Sequence, residues 1–233
     1  MSEAQPSGGT PDARDGRSVA IGESVLSTAG DQAASLRGRF AAAGTFVVNL
    51  ISAPGSGKTE LVCRTAERLR GDMALAAVAG DVQTALDAER IAAAGIAAAA
   101  IETHGSCHLS AARVAEALAG LPEAVDLLFV ENVGNLVCPS SFDLGEDAKI
   151  ALVSVCEGDD KPAKYPAVFS RAAAFVVSKL DLATVCESDL ERMARDARRM
   201  NPDVQVFALS ARTGEGMDRW CDWLRAQVRR KKG

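Results

Sequence analysis

The chain alternates short, continuous apolar runs with longer segments of mixed character. The apolar runs are residues 46–51, 74–78, 96–101, 127–131, 149–155, 173–178 and 204–209. Runs this short, without polar alternation, predict strands buried on both faces. The segments between them (60–69, 84–94, 109–119, 188–200 and 217–229) carry apolar residues at helical spacing and predict helices. A polar helix is expected ahead of the first strand, at residues 31–43. Before it, the chain is rich in Gly, Ser, Pro and Asp and buries too little apolar surface to offset the entropy of ordering. Residues 1–30 are therefore expected to form a disordered tail, and residues 31–233 one domain. Strands alternating with helices predict an α/β fold, a mostly parallel sheet with helices on both faces.

Composition narrows the function classes. Hydrophobic residues make up 48% of the 233, enough for a sizeable core, but aromatics only 4%, so aliphatic side chains must fill it. A net charge of -5 argues against nucleic acid as a partner. No apolar run approaches the roughly 18 residues a membrane span needs, and the N-terminal stretch has no apolar signal region. A cytoplasmic protein is expected. The six cysteines are scattered, as suits a reducing compartment better than a disulfide framework.

The strongest motif is Ser52-Ala53-Pro54-Gly55-Ser56-Gly57-Lys58-Thr59, between a predicted strand and a predicted helix. It fits the phosphate-binding loop of P-loop NTPases except that Ser52 stands at the first glycine. Gly55 and Gly57 free the backbone so that successive N–H groups and a helix N-terminus can face phosphates. Lys58 would reach the β- and γ-phosphates and the Thr59 hydroxyl would bind Mg²⁺. Asp81, just after the next strand, can reach Mg²⁺ or orient a water; the same position also suits a helix N-cap. Glu131 ends another strand, where an acid can act on Mg²⁺ through water or simply be solvated. Gly134 would let the backbone approach the γ-phosphate.

Ser178-Lys179-Leu180-Asp181 follows a strand where GTPases usually carry Asn-Lys-x-Asp. Asp181 would accept from guanine N1–H and N2–H₂, which adenine does not offer, and the Lys179 stem would lie across the base. Ser178 departs from the Asn. Ser210-Ala211 matches the final guanine loop. A guanine nucleotide, GTP or GDP, is therefore expected. The two histidines, His104 and His108, flank Cys107, and Cys138 lies in the loop after the Glu131 strand. Thiolate and imidazole suit Zn²⁺ or Ni²⁺, whereas on spacing alone a free cysteine is most often a small buried hydrophobe. Cys63, Cys156, Cys186 and Cys221 fall in helix or strand patterns and are expected to pack.

Taken together, these strings resemble the HypB family of GTPases, which help insert nickel into [NiFe] hydrogenase. The resemblance runs from about Val47 to Leu224. Besides the strings above, it is carried by Gly80-Asp81-Val82-Gln83-Thr84, Asp87-Ala88-Glu89-Arg90, Cys107-His108-Leu109, Glu131-Asn132-Val133-Gly134-Asn135-Leu136-Val137-Cys138-Pro139, Phe142-Asp143-Leu144-Gly145-Glu146 and Glu157-Gly158-Asp159-Asp160-Lys161-Pro162. It implies a P-loop NTPase of the SIMIBI type, working as a GTP-promoted homodimer with Ni²⁺ or Zn²⁺ on Cys107, His108 and Cys138 at the dimer interface. Lys161 would lie near the other subunit's nucleotide. The implied partners are the small metallochaperone HypA and the hydrogenase large-subunit precursor. The Cys-rich or His-rich N-terminal stretch of some members does not occur in residues 1–30. A urease-type nickel GTPase is the nearest rival, and Glu131-Asn132-Val133-Gly134 and the adjacent Cys107-His108 pair argue against it. A small-molecule kinase would use ATP, against which Ser178-Lys179-Leu180-Asp181 argues.

Overall fold

The structure, a computed structural model, describes residues 15–81 and 84–233, with side chains from residue 29 onward. Seven strands form one parallel sheet: β1 (Phe46–Ser52), β2 (Leu75–Asp81), β3 (Ala97–Glu102), β4 (Leu127–Glu131), β5 (Ala148–Ser154), β6 (Ala174–Ser178) and β7 (Gln205–Ala208). Their spatial order is β3-β2-β4-β1-β5-β6-β7. Every pairing is parallel, so each connection must cross a face of the sheet. The helices are α1 (Asp15–Ala43), α2 (Lys58–Leu69), α3 (Leu86–Ala93), α4 (Ala111–Ala117), α5 (Cys138–Ser141), α6 (Lys161–Lys164), α7 (Pro166–Phe169), α8 (Leu190–Met200) and α9 (Met217–Lys232).

Side-chain alternation along β1 explains why the sheet is covered twice. Phe46, Val48 and Leu50 point into a core shared with Leu61, Val62 and Ala66 of α2, Ile91 of α3 and Trp220 and Leu224 of α9. Val47 points the other way, into a core closed by Ala33, Leu36 and Phe40 of α1 and Val114 of α4. Farther along that strand, Ile51 joins a third cluster with Phe169 of α7 and Met193 and Ala197 of α8. Because both faces are apolar, the strands read as continuous runs, and those expected from the sequence are the strands observed to within a residue or two, apart from β2, which runs on to Asp81.

Two expectations need revision. Helix α1 begins at Asp15, well inside the segment expected to be a tail, and residues 1–14 lie outside the described residues. No proline occurs between Pro11 and Pro54, so nothing interrupts helical hydrogen bonding there. The helix is also less polar in role than it reads: Ala33, Leu36 and Phe40 share one face and are buried. The cysteine expectation divides. Cys63 and Cys221 are buried as expected, whereas Cys156 and Cys186 are exposed. Both lie in the connections that follow β5 and β6, where the backbone leaves the core.

Candidate nucleotide and metal sites

The candidate site sits at the carboxyl ends of the strands, the edge where parallel α/β sheets bind ligands. β1 runs into the loop of residues 52–58, and α2 begins at its end. Gly55 and Gly57 have φ of 75° and 97°, left-handed angles that a side chain would strain. Ser52, at the place of the usual first glycine, has a use. It is fully buried, its hydroxyl accepts from Lys58 Nζ at 2.9 Å, and it donates to the Ala53 carbonyl at 2.7 Å. The loop thus holds its lysine without a ligand. Burial lowers the Lys58 pKa, while Glu131, Asp87, Glu157 and Asp81 act against that shift.

The hydroxyl of Thr59 lies 2.8 Å from Glu131 Oε1 and 2.9 Å from Asp87 Oδ1. It has one proton to donate, so two carboxylates compete for it. Glu131 is buried at the end of β4, and its Oε2 has no hydrogen-bond partner among the described residues. Desolvation raises its pKa to about 7, against the pull of Lys58 and the bond from Thr59. A buried carboxylate with one empty oxygen beside a hydroxyl and a second carboxylate is the oxygen-rich set that suits Mg²⁺. Asp81 lines the same cavity, of about 500 Å³, and accepts a hydrogen bond from Thr84. Asp87 and Arg90 also line it, and the sequence reading assigned neither a role. Arg90 pairs with Glu60 at 3.2 Å and lies 3.7 Å from Asp87. The available signal was the string Asp87-Ala88-Glu89-Arg90 itself, at the start of α3.

Gly134 lines this cavity too, and it packs against the phosphate loop. A Cβ there would lie 2.8 Å from Pro54 Cγ and 3.0 Å from both the N and Cα of Pro54. The strand-end loop after β4 therefore rests directly on the phosphate loop. Next to it, Asn132 is buried and holds three segments together. Its Oδ1 accepts from the N–H groups of Val133 at 3.1 Å and Leu109 at 3.2 Å, and its Nδ2 donates to Asn49 at 3.1 Å. Asn49 in turn donates to Glu146 at 3.2 Å.

A second cavity, of about 600 Å³, opens on the other side of the phosphate loop and shares Gly57 and Glu60 with the first. Lys179, Asp181, Ser210 and Ala211, the residues expected to meet the base, line it together. Lys179 has φ of 58° and donates to the Gly55 carbonyl at 2.7 Å. Ser178, in place of Asn, still braces the phosphate loop: its hydroxyl donates to the Ser56 carbonyl at 2.6 Å. Asp181 accepts from Ser210 Oγ at 2.5 Å and from Arg212 at 2.7 Å. These bonds, the Ser210 one foremost, keep its carboxyl below the usual range. Gly216, at the start of α9, packs tightly against the end of β7. Its φ is 73°, and a Cβ would meet the Ala208 carbonyl at 2.2 Å.

At the expected metal site, Cys107 and Cys138 come together from different loops. The neighbouring Cys138 raises the pKa of the Cys107 thiol. His108 Nδ1 lies 3.8 Å from Cys107 Sγ, and the ring stacks on Phe142 with centroids 3.5 Å apart. Partial burial lowers the His108 pKa, favouring the neutral, ligating imidazole. Among the described residues, no group of three Cys, His, Asp or Glu side chains is gathered closely enough to hold a metal. His104, with φ of 49°, lines a separate surface cavity with Glu102 and Arg113. Lys161 lines neither nucleotide cavity, and its ammonium sits 5.5 Å from the Tyr165 ring centre.

With this geometry in place, the comparisons with known proteins decide the family. Residues 46–208 match the CobW/HypB/UreG nucleotide-binding domain. The hydrogenase maturation factor HypB of Azotobacter vinelandii is 48% identical over 212 residues, which cover 91% of this chain and 70% of that one. The chain belongs to the HypB family of hydrogenase maturation factors. The crystal structure of HypB from Archaeoglobus fulgidus superposes with a TM-score of 0.81 at 40% identity, covering 87% of this chain and 99% of that one. HypB from Helicobacter pylori, solved in complex with nickel, gives a TM-score of 0.83 at 36% identity over 87% and 96% of the two chains. A HypB fold and a nucleotide-binding domain are thus established for this chain. Among the described residues, no helix is long and apolar enough to cross a membrane.

Proposed function

We propose that this protein is a GTP-hydrolysing metallochaperone that helps insert nickel into the large subunit of [NiFe] hydrogenase. The observation that carries the reading is the pair of cavities on either side of one phosphate loop. One is lined by Lys58, Thr59, Asp81, Asp87 and Glu131, the other by Lys179 and Asp181. Together they suit the phosphates and the guanine of a single nucleotide. The nickel-bound HypB of Helicobacter pylori supports nickel as the cargo.

Thr59, Asp81 and Glu131 would hold Mg²⁺, with Asp87 as a further oxygen ligand. Bound there, Mg²⁺ would neutralise charge on the β- and γ-phosphates. Lys58 sets its ammonium on the same oxygens, held ready by Ser52. The loop backbone from Gly55 to Thr59 donates to the phosphates and adds the favourable end of the α2 dipole. Asp181 gives guanine two acceptor oxygens once the base displaces Ser210 or Arg212. With no arginine from a partner, turnover is slow, about 10⁻⁴–10⁻² s⁻¹.

Cys107, His108 and Cys138 take Ni²⁺ or Zn²⁺, and the shell is completed by water or by a second copy of the chain in a GTP-promoted homodimer. In that dimer Lys161 faces the other subunit's nucleotide. Nucleotide state reaches the metal by a short path: Gly134 touches Pro54 of the phosphate loop, and Cys138 follows four residues later. Asn132 ties the same strand end to Leu109, next to His108. By linkage, bound metal changes nucleotide affinity by the factor by which nucleotide changes metal affinity. The protein works in the cytoplasm, with a HypA-type metallochaperone and the hydrogenase large-subunit precursor as partners.

The test is Ni²⁺ and Zn²⁺ titration of the purified protein with GDP and with a non-hydrolysable GTP analogue, for wild type and Cys138→Ala. Binding that needs Cys138 and differs between nucleotides supports the switch. Binding indifferent to both removes the coupled metal site and leaves the GTPase reading standing.

A further inference from the structure

Cys156 and Cys186 are used by none of the sites above. Both are exposed, so apolar packing does not account for them. They lie on different connections, Cys156 just after β5 and Cys186 in the turn after β6, yet the Cys186 thiol meets Cys156 Sγ at 3.4 Å. The same two segments are already fastened. Ser188 Oγ donates to the Val155 carbonyl at 2.8 Å, and the Asp189 N–H donates to Asp159 at 2.9 Å. Thiols held in contact by fixed backbones need a shift of only about 1.4 Å to reach bonding distance.

We propose that Cys156 and Cys186 are a redox modification site: a small-molecule disulfide oxidises them to an intramolecular disulfide that stiffens the base-binding loop and slows guanine-nucleotide release. One cysteine thiolate attacks a sulfur of the small disulfide, breaks its S–S bond and expels one thiolate. The second cysteine then attacks the mixed disulfide and expels the other thiolate. Two protons pass from the cysteines to the departing thiolates. The protein thiols are oxidised by two electrons and the small disulfide is reduced to two thiols.

The link to the base pocket is short. The Cys186 N–H donates to the Leu182 carbonyl at 2.9 Å, and Leu182 lines the cavity with Lys179 and Asp181. A bond to the segment after β5 removes freedom from the turn that must yield for the base to leave. The cross-link stands on thiol geometry alone. Its effect on exchange rests on the guanine-nucleotide reading proposed above.

The full-length protein is treated with glutathione disulfide and digested with trypsin without reduction. Cys156 falls in the fragment 150–164, Cys186 in 180–192, Cys107 in 91–113 and Cys138 in 114–149. Mass spectrometry therefore separates this pair from a Cys107–Cys138 bond. The expected result is a linked 150–164/180–192 species, lost on reduction and absent in Cys156→Ser and Cys186→Ser. Release of a fluorescent GDP analogue should slow by about threefold or more on oxidation of wild type and remain unchanged in either variant. Recovery of the two fragments unlinked, or only as separate glutathione adducts, overturns the proposal. So does linkage with identical release from oxidised and reduced protein. If the reduced protein takes up no guanine nucleotide, the functional reading fails, while the mass measurement still decides the disulfide.

Discussion

The phosphate cavity and the Cys107–Cys138 site differ in how complete one chain makes them. In the phosphate cavity every named group is braced: Lys58 by Ser52, Thr59 by two carboxylates, and the loop itself by Ser178 and Lys179. Lys58 and Glu131 are buried there, and among the described residues one Glu131 oxygen has no partner. The thiol site is shallow. It has two neighbouring cysteines and one imidazole stacked on Phe142. The first site is preorganised for a ligand that brings its own charges. On the function proposed above, the second would supply part of a coordination shell and leave the rest to water or a second copy of the chain. On that proposal an open shell suits release of the metal, since a closed tetrahedral one is the mark of structural metal.

The comparison can be broken most sharply at Lys58. Lys58→Ala should lower phosphate release from GTP by about 10²–10³-fold, with Ni²⁺ stoichiometry unchanged in a titration of the same preparation. Normal hydrolysis in that variant would misplace the nucleotide site. At the thiol site, Cys138→Ala should weaken Ni²⁺ binding at least about tenfold, within the range expected when a metal's surroundings are disturbed, while GTP hydrolysis without metal persists.

Glu131 sharpens the comparison through pH. Its folded pKa, about 7, lies above the ordinary 4.5. The folded state therefore holds the proton more tightly. The stabilisation this group contributes is fully present below the unfolded value and is lost as pH rises from 4.5 to about 7. Without Mg²⁺ and nucleotide, the loss is on the order of 3 kcal/mol. Urea unfolding across that window should show it, and Glu131→Gln should flatten the curve. A curve of the same slope in the variant would mean that another group is responsible.

Gly134→Ala should cost about 1–3 kcal/mol, because the new methyl must push Pro54 aside, and nucleotide affinity should fall with it. The urea midpoint and a GDP titration check both. An effect of similar size, confined to base selectivity, is expected at the base pocket. Asp181→Asn trades an acceptor oxygen for a donor, so the preference for GTP over ATP should fall by about 1–3 kcal/mol, with little change in the thermal midpoint. Unchanged preference would move guanine recognition elsewhere.

Much of this was determined by the sequence alone. Strands buried on both faces must be continuous apolar runs, so the sheet was legible without coordinates. A phosphate loop is local: its glycines, lysine and threonine act within a stretch where chain order is spatial order, so Pro54 to Thr59 could be read directly. Tertiary structure decided what depends on residues far apart in the chain. The match of Asp87 to Thr59, the contact of Gly134 with Pro54 and the pairing of Cys156 with Cys186 each join segments brought together by parallel crossovers. The role of Ser178 also needed the fold, since its brace on Ser56 crosses from β6 to the loop after β1. Residue type announces what a side chain can do. Only the crossing of the strands settles which neighbour it does it with.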